Sequence, residues 1–169
     1  MSNLYRQSVP LVMHKLENLK HIVKTGQAHA AENGFDEDSL TQFRLFPDML
    51  PFAAQIRIAT DLACGMTFRL TGNERQSLND DANSFDELIE RLDQTLAHLN
   101  AQNEVDYDGS ANKAVTIKTP SGELDFMGDD YLANFLLPNL YFHIVTAYNM
   151  LRHNGVKLGK MDFMRGAAV

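Results

Sequence analysis

GDDYLANFLLPNLYFHIVTAYNMLRHNGVKLGKMDF, residues 128–163, is the longest apolar segment of the chain and carries a strip of polar side chains inside it. Its spacing predicts a helix. Asp129 or Asp130 would cap the start, where a side-chain oxygen satisfies free backbone N–H groups, and Gly155 would close the end with Arg152 and His153 in the last turn. No charged side chain lies between Asp130 and Arg152. Pro138, three asparagines, Thr146 and His143 interrupt the run, and each would be costly in lipid, so a buried helix of a bundle is expected rather than a membrane span. At about 100° per residue, Ala133, Leu136, Leu137, Leu140, Ile144, Ala147 and Leu151 share one face, with Asn139, His143 and Thr146 beside it within about 60° of arc. That polar strip is the candidate site.

Working outward, 169 residues with 44% hydrophobic and 22% charged content fit one domain spanning 1–169. A formal charge of −7 and no run of Lys/Arg argue against nucleic acid or an anionic membrane as the partner. Cys64 is the sole cysteine, which excludes an intramolecular disulfide and a thiolate metal cluster and fits a reducing compartment. The first residues lack the basic start and apolar core of a signal peptide, so the expected location is cytoplasmic.

A first helix is expected from residue 3 to about 32, with Tyr5, Val9, Val12, Met13, Leu16, Leu19 and Val23 as its stripe and Pro10 making its start uncertain. His14, Asn18, His21 and Thr25 lie opposite that stripe, and this face reads as solvated. After Asn33-Gly34, an acidic link leads into a short turn at 40–46. A second long helix follows, with Asp48 as N-cap, Pro51 in the first turn and Gly72 as its stop. Phe52, Ile56, Ala59, Leu62, Ala63, Met66 and Leu70 form its buried face. Gln55 falls inside that face, where its amide either satisfies a structural hydrogen bond or lines a polar pocket.

Residues 73–83 are polar and long enough to cross from one end of a bundle to the other. Ser84 and Glu87 form a capping box for a third helix carrying Phe85, Leu88, Ile89, Leu92, Leu96 and Leu99. His98 reads as solvated near its end. From 103 to 127 the period changes to two: Val115, Ile117, Leu124 and Phe126 alternate with polar residues around Thr119-Pro120-Ser121-Gly122, the pattern of a β-hairpin. The preceding EVDYDG resembles the opening of a calcium loop, but Val115 stands where a bidentate glutamate is needed.

RLFPDMLPFAAQ (44–55) and PNLYFHIVTAYNMLRHNGVKLGKMDF (138–163) make the chain resemble the DinB-like superfamily, in an uncharacterised branch sharing the RHNG-V-x-LGK-x-DF tail. The resemblance spans nearly the whole chain. It implies an all-α four-helix bundle in up-down-down-up order, a small β-hairpin inserted before the last helix, and a homodimer. In metal-binding relatives one histidine comes from the second helix and two, four residues apart, from the fourth. Those positions fall here near Gln55 and at Asn139 and His143, so one imidazole remains of three, and His153 is poorly spaced to replace another. The expectation is a degenerate metal pocket of Gln55, Asn139 and His143, edged by Asp48 and Thr146, with no cofactor, in a non-catalytic protein that binds a small molecule or serves as an interaction module. The alternative is a metal-dependent, thiol-linked transferase or hydrolase holding zinc or nickel, with His143 as the weak remaining ligand.

Overall fold

Two glycine stops and one cap divide the first three long helices of the chain. In the computed structural model, which describes residues 3–166, α1 (Tyr5–Asn33) ends where Gly34 takes φ 66° and its N–H reaches Ala30 and Ala31 carbonyls. A short turn, α2 (Asp38–Thr41), precedes α3 (Phe52–Thr71), which stops at Gly72 with φ 88°. The Ser84–Glu87 capping box starts α4 (Phe85–Asn100). Pro10 is accommodated inside α1, so the helix runs through it. Pro51, with extended backbone, is the N-cap of α3; Asp48, expected in that role, lies exposed in the preceding turn. Proline suits that place because its missing N–H would be unsatisfied there in any case.

The last bundle helix is built in three pieces: α5 (Gly128–Asp130), a π-helical segment (Tyr131–Leu136) and α6 (Leu137–His153). Pro138 supplies the reason, because it has no N–H for the carbonyl four residues back and its ring would collide with it; a wider turn relieves both. Met127 precedes the helix without a side-chain cap, so neither Asp129 nor Asp130 caps it. Asp130 instead accepts from Asn134 Nδ2 at 2.5 Å. Ala133, expected on the buried face, is exposed, while Leu132 and Met150 are buried.

Contacts along the helices fix their directions. Phe52 meets Phe85 with ring centroids 6.1 Å apart, Arg91 Nε donates to Thr60 Oγ1 at 2.7 Å, and Thr67 bonds His98 at 2.8 Å, so α3 and α4 run parallel. Gln27 bonds Asp86 at 2.7 Å and Lys20 pairs with Asp93, so α1 and α4 are antiparallel. Gln55 against His143, and Arg69 against Tyr131, make α3 and α6 antiparallel. The order is therefore up-down-down-up. Leu16, Leu19, Ile22, Ile56, Met66, Leu88, Leu92 and Leu140 are fully buried at its centre.

Strands β1 (Ala114–Thr119) and β2 (Gly122–Met127) form the expected hairpin, with Val115 paired to Phe126 and Ile117 to Leu124. Two strands are marginal alone. Val115 and Ile117 are buried against the helices, and Phe126 packs on Phe135 at 5.5 Å.

Two surfaces differ from expectation. The His14/Asn18/His21/Thr25 side of α1 is covered by a C-terminal helix, α7 (Lys160–Arg165). His14 Nε2 lies 3.0 Å from the Met164 carbonyl, Asn18 Nδ2 donates to Phe163 O at 3.0 Å, and His21 Nε2 meets Asp162 Oδ1 at 2.8 Å. Asn18 is only 2% exposed. His98, expected in solvent, is half-buried against Thr67, and burial lowers its pKa.

The crossover at 73–83 has no secondary structure of its own. Arg91 of α4, 1% exposed, holds it: Nη1 donates to the Asn79 carbonyl, Nη2 pairs with Asp61 at 2.8 Å, and Nε takes Thr60. Burial keeps the Asp61 carboxyl above its usual pKa even beside Arg91 and Arg75. The pair is thus a placement device more than a source of stability, yet removing one partner leaves the other stranded. Arg91→Met should cost about 2–4 kcal/mol in urea denaturation, the range lowered because Asp61 is partly solvated; a loss below about 1 kcal/mol would show that the crossover is held by other contacts.

Candidate functional site

Because α3 starts at Phe52, Gln55 sits in its first turn, facing α6. Gln55 Nε2 donates to the Leu50 carbonyl at 3.0 Å, and Oε1 lies 2.7 Å from His143 Nδ1. A carbonyl only accepts, so Leu50 fixes which way the Gln55 amide points. The amide oxygen likewise only accepts, so Nδ1 of His143 carries the hydrogen. Burial depresses the pKa of His143 below its ordinary value of 6.5, which favours the neutral ring. Nε2 is then left as a lone-pair acceptor.

That acceptor is open. His143 is 8% exposed, and among the described residues the one fully buried side-chain N or O atom without a partner is the Tyr131 hydroxyl, so Nε2 keeps some contact with solvent. Phe142 stands edge-on to the ring at 5.3 Å and is itself 60% exposed. Leu50, whose carbonyl anchors the relay, is also exposed.

The remaining expected members of the set are not drawn into it. Asn139 is half-buried one turn before His143 and makes no side-chain hydrogen bond among the described residues. Thr146 is buried, but its hydroxyl donates to the Phe142 carbonyl of its own helix at 2.6 Å. Asp48 is exposed and bonds to none of them. The structure therefore joins Gln55 and His143 directly and leaves Asn139, Thr146 and Asp48 as neighbours in sequence or on the helix face. Leu50 was missed at the sequence level, because a backbone carbonyl leaves no signature in residue type.

A divalent metal does not suit these donors. Zinc or nickel calls for several imidazole, thiolate or carboxylate ligands. Here Nε2 of His143 is the single free imidazole nitrogen, and the Gln55 oxygen already accepts from the same ring. Cys64 is fully buried with its thiol pushed up to about 11 by burial, and among the described residues no three His, Cys, Asp or Glu side chains gather as a metal site. The EVDYDG carboxylates serve local contacts instead, Glu104 with Arg6 and Asp108 with Asn3. No helix of the described residues is long and apolar enough to cross a membrane.

The sequence profile of a family described as "Domain of unknown function (DUF1993)" matches residues 4–164. Among solved structures, the chain is similar to a DinB family member protein from Shewanella denitrificans, with 33% sequence identity over 98% of this chain and 93% of that one and a TM-score of 0.86. No curated protein matches.

The relay has a measurable energy. His143→Leu leaves the Gln55 oxygen buried without a donor and should cost about 1–3 kcal/mol in urea denaturation, with part of the loss recovered when Gln55→Leu is added. Because the folded pKa of His143 is depressed, its contribution is present above the unfolded value of 6.5 and is lost as pH falls from there toward the folded pKa. His98 acts in the same sense, so the slope of stability against pH should shrink in His143→Leu but not vanish. An unchanged slope would show that His143 is not held neutral by the fold.

Proposed function

The chain belongs to the DUF1993 family and has a DinB-like fold, and from that premise we propose that it is a non-catalytic binding protein whose His143 receives a small molecule. One observation carries this reading: the Leu50–Gln55–His143 relay fixes the tautomer and leaves Nε2 as an open acceptor. A ligand for it presents an N–H or O–H donor. The exposed ring of Phe142 offers an apolar surface beside that contact.

A metal-dependent transferase or hydrolase is the less favoured reading. The same relay would orient a metal-ligating imidazole, since such rings usually donate their other N–H to an oxygen acceptor. The missing second and third ligands count against it, and fold likeness does not transfer chemistry.

For assembly and location we propose a cytoplasmic homodimer. Val145 is 39% exposed and Phe142 60%, on a stretch of α6 without charge, which favours contact between two equal faces over contact with solvent. Tyr148, which lies on the same side of α6, is partly covered within the chain by Phe163 of α7, with centroids 6.4 Å apart. Val145→Glu therefore probes the face better than a change at Tyr148.

Native mass spectrometry with elemental analysis, on protein purified without a histidine tag, tests both parts. The expected outcome is a dimer without stoichiometric zinc or nickel, weakened to monomer in Val145→Glu. One equivalent of either metal retained through dialysis and lost in His143→Ala would overturn the binding reading in favour of the metal enzyme. A monomer at micromolar concentration would overturn the dimer.

A further inference from the structure

Several cations of this acidic chain are matched to acceptors: Arg6 to Glu104, Arg75 and Arg91 to Asp61, Lys118 to Glu123, and Arg57 to the Asn83 side chain. Arg69 and Lys113 are not. Among the described residues, neither forms an ion pair with a carboxylate, although both are partly buried. They meet at a cleft of about 260 Å³ between the end of α3 and the start of β1, where Phe68, Gly72, Val115 and Thr116 complete the lining.

The backbone is shaped to admit them. A Cβ on Gly65 would fall 2.2 Å from Arg69 Nη1, and one on Gly72 would fall 2.9 Å from Lys113 Nζ. Arg69 also lies over the Tyr131 ring, 5.9 Å from Cζ to the centroid. The Tyr131 hydroxyl is fully buried and has no hydrogen-bond partner. A buried hydroxyl left unpaired costs about 1–3 kcal/mol and calls for an explanation. The lining of the cleft thus holds two cations and no carboxylate.

The C-terminal carbonyls of α3 explain the attraction of cations to this end, since the helix dipole is negative there. They leave the donors unbonded. An anion brought to the same end would be repelled by the dipole unless both cations offset it, so its binding would require the two together.

We propose that this cleft binds a small organic carboxylate, whose oxygens accept from Arg69 and Lys113 and whose apolar body lies against Phe68 and Val115. Phe68 is 43% exposed and offers a partly open ring at the cleft. The site lies at the opposite end of α3 from Gln55 and is independent of His143.

The test is a titration of the full chain with sodium benzoate, followed by the ¹H–¹⁵N signals of the Arg69 side chain and the Gly72 amide, against sodium chloride at equal ionic strength. A saturable shift is expected with benzoate, weakened by about tenfold or more in Arg69→Gln and in Lys113→Gln. Arg69→Lys, which keeps the charge, should weaken it less, and His143→Gln should leave it unchanged. Lys113→Gln lies outside the helices, so its loss of binding is read in a folded chain. A shift equal to that with chloride, or one surviving both charge-removing variants, overturns the site. An equal response to inorganic phosphate overturns the carboxylate assignment.

Discussion

Two neighbouring bundle helices that run parallel must be joined by a link that travels the length of the bundle. Here that link is 73–83, and its length leaves little slack: eleven residues span at most roughly 36–40 Å, against roughly 30 Å for the twenty residues of α3. A chain so extended cannot make its own backbone hydrogen bonds, so its polar groups need partners from elsewhere. Arg57 takes the Ala82 carbonyl, and Arg91 is the more deeply buried partner. Its planar fork takes a carbonyl of the link, a carboxylate and a hydroxyl of α3 together, which a lysine could not do. With α3 and α4 fixed in parallel, α1 and α6 must take the remaining places, and α3 becomes the most enclosed helix of the four.

The consequence reaches the His143 site. An enclosed helix presents few polar residues to the core without cost, and Gln55, 3% exposed, is tolerated because both ends of its amide are used. The donor end is satisfied by a carbonyl just outside the helix, available because Pro51 starts α3 late and leaves Leu50 in extended chain. Had Asp48 been the cap, Leu50 would lie inside the helix and its carbonyl would be committed to the helical ladder. The proline start and the imidazole tautomer are therefore linked through one peptide group.

The four helices, their stops, the crossover and the hairpin were legible in the sequence, because each rests on a period or a local signal. Residues whose role depends on a distant partner were less so. Arg91 sits one position from Leu92 in the third helix stripe, and nothing local distinguishes a buried arginine from a solvated one beside an apolar row. The polar face of α1 failed for the same reason. Polarity suggested water, whereas backbone carbonyls and Asp162 of α7 complete it. Periodic polar residues at i, i+4, i+7 and i+11 are as consistent with a docked polar segment as with solvent. The π-helical segment had a local signal in Pro138 that pointed to its existence but not to its form.

At the candidate site the sequence named five residues, and the structure joins two of them by a hydrogen bond. Gln55 and His143 were named from a stripe violation on one helix and a polar strip on another, and the structure brings them to 2.7 Å. Asn139 and Thr146 share the strip by angle alone, and angle cannot tell a side chain that reaches across the core from one that bonds its own helix, as Thr146 does. The second-helix position at which the resemblance to metal-binding relatives implies a ligand falls near Gln55, which here accepts a hydrogen bond from the histidine. A glutamine whose oxygen holds Nδ1–H gives what an outer partner of a metal site gives, a fixed ring with a free Nε2, without contributing a ligand. A ring so held offers a single lone pair, which suits one hydrogen-bond donor better than a metal that calls for several ligands.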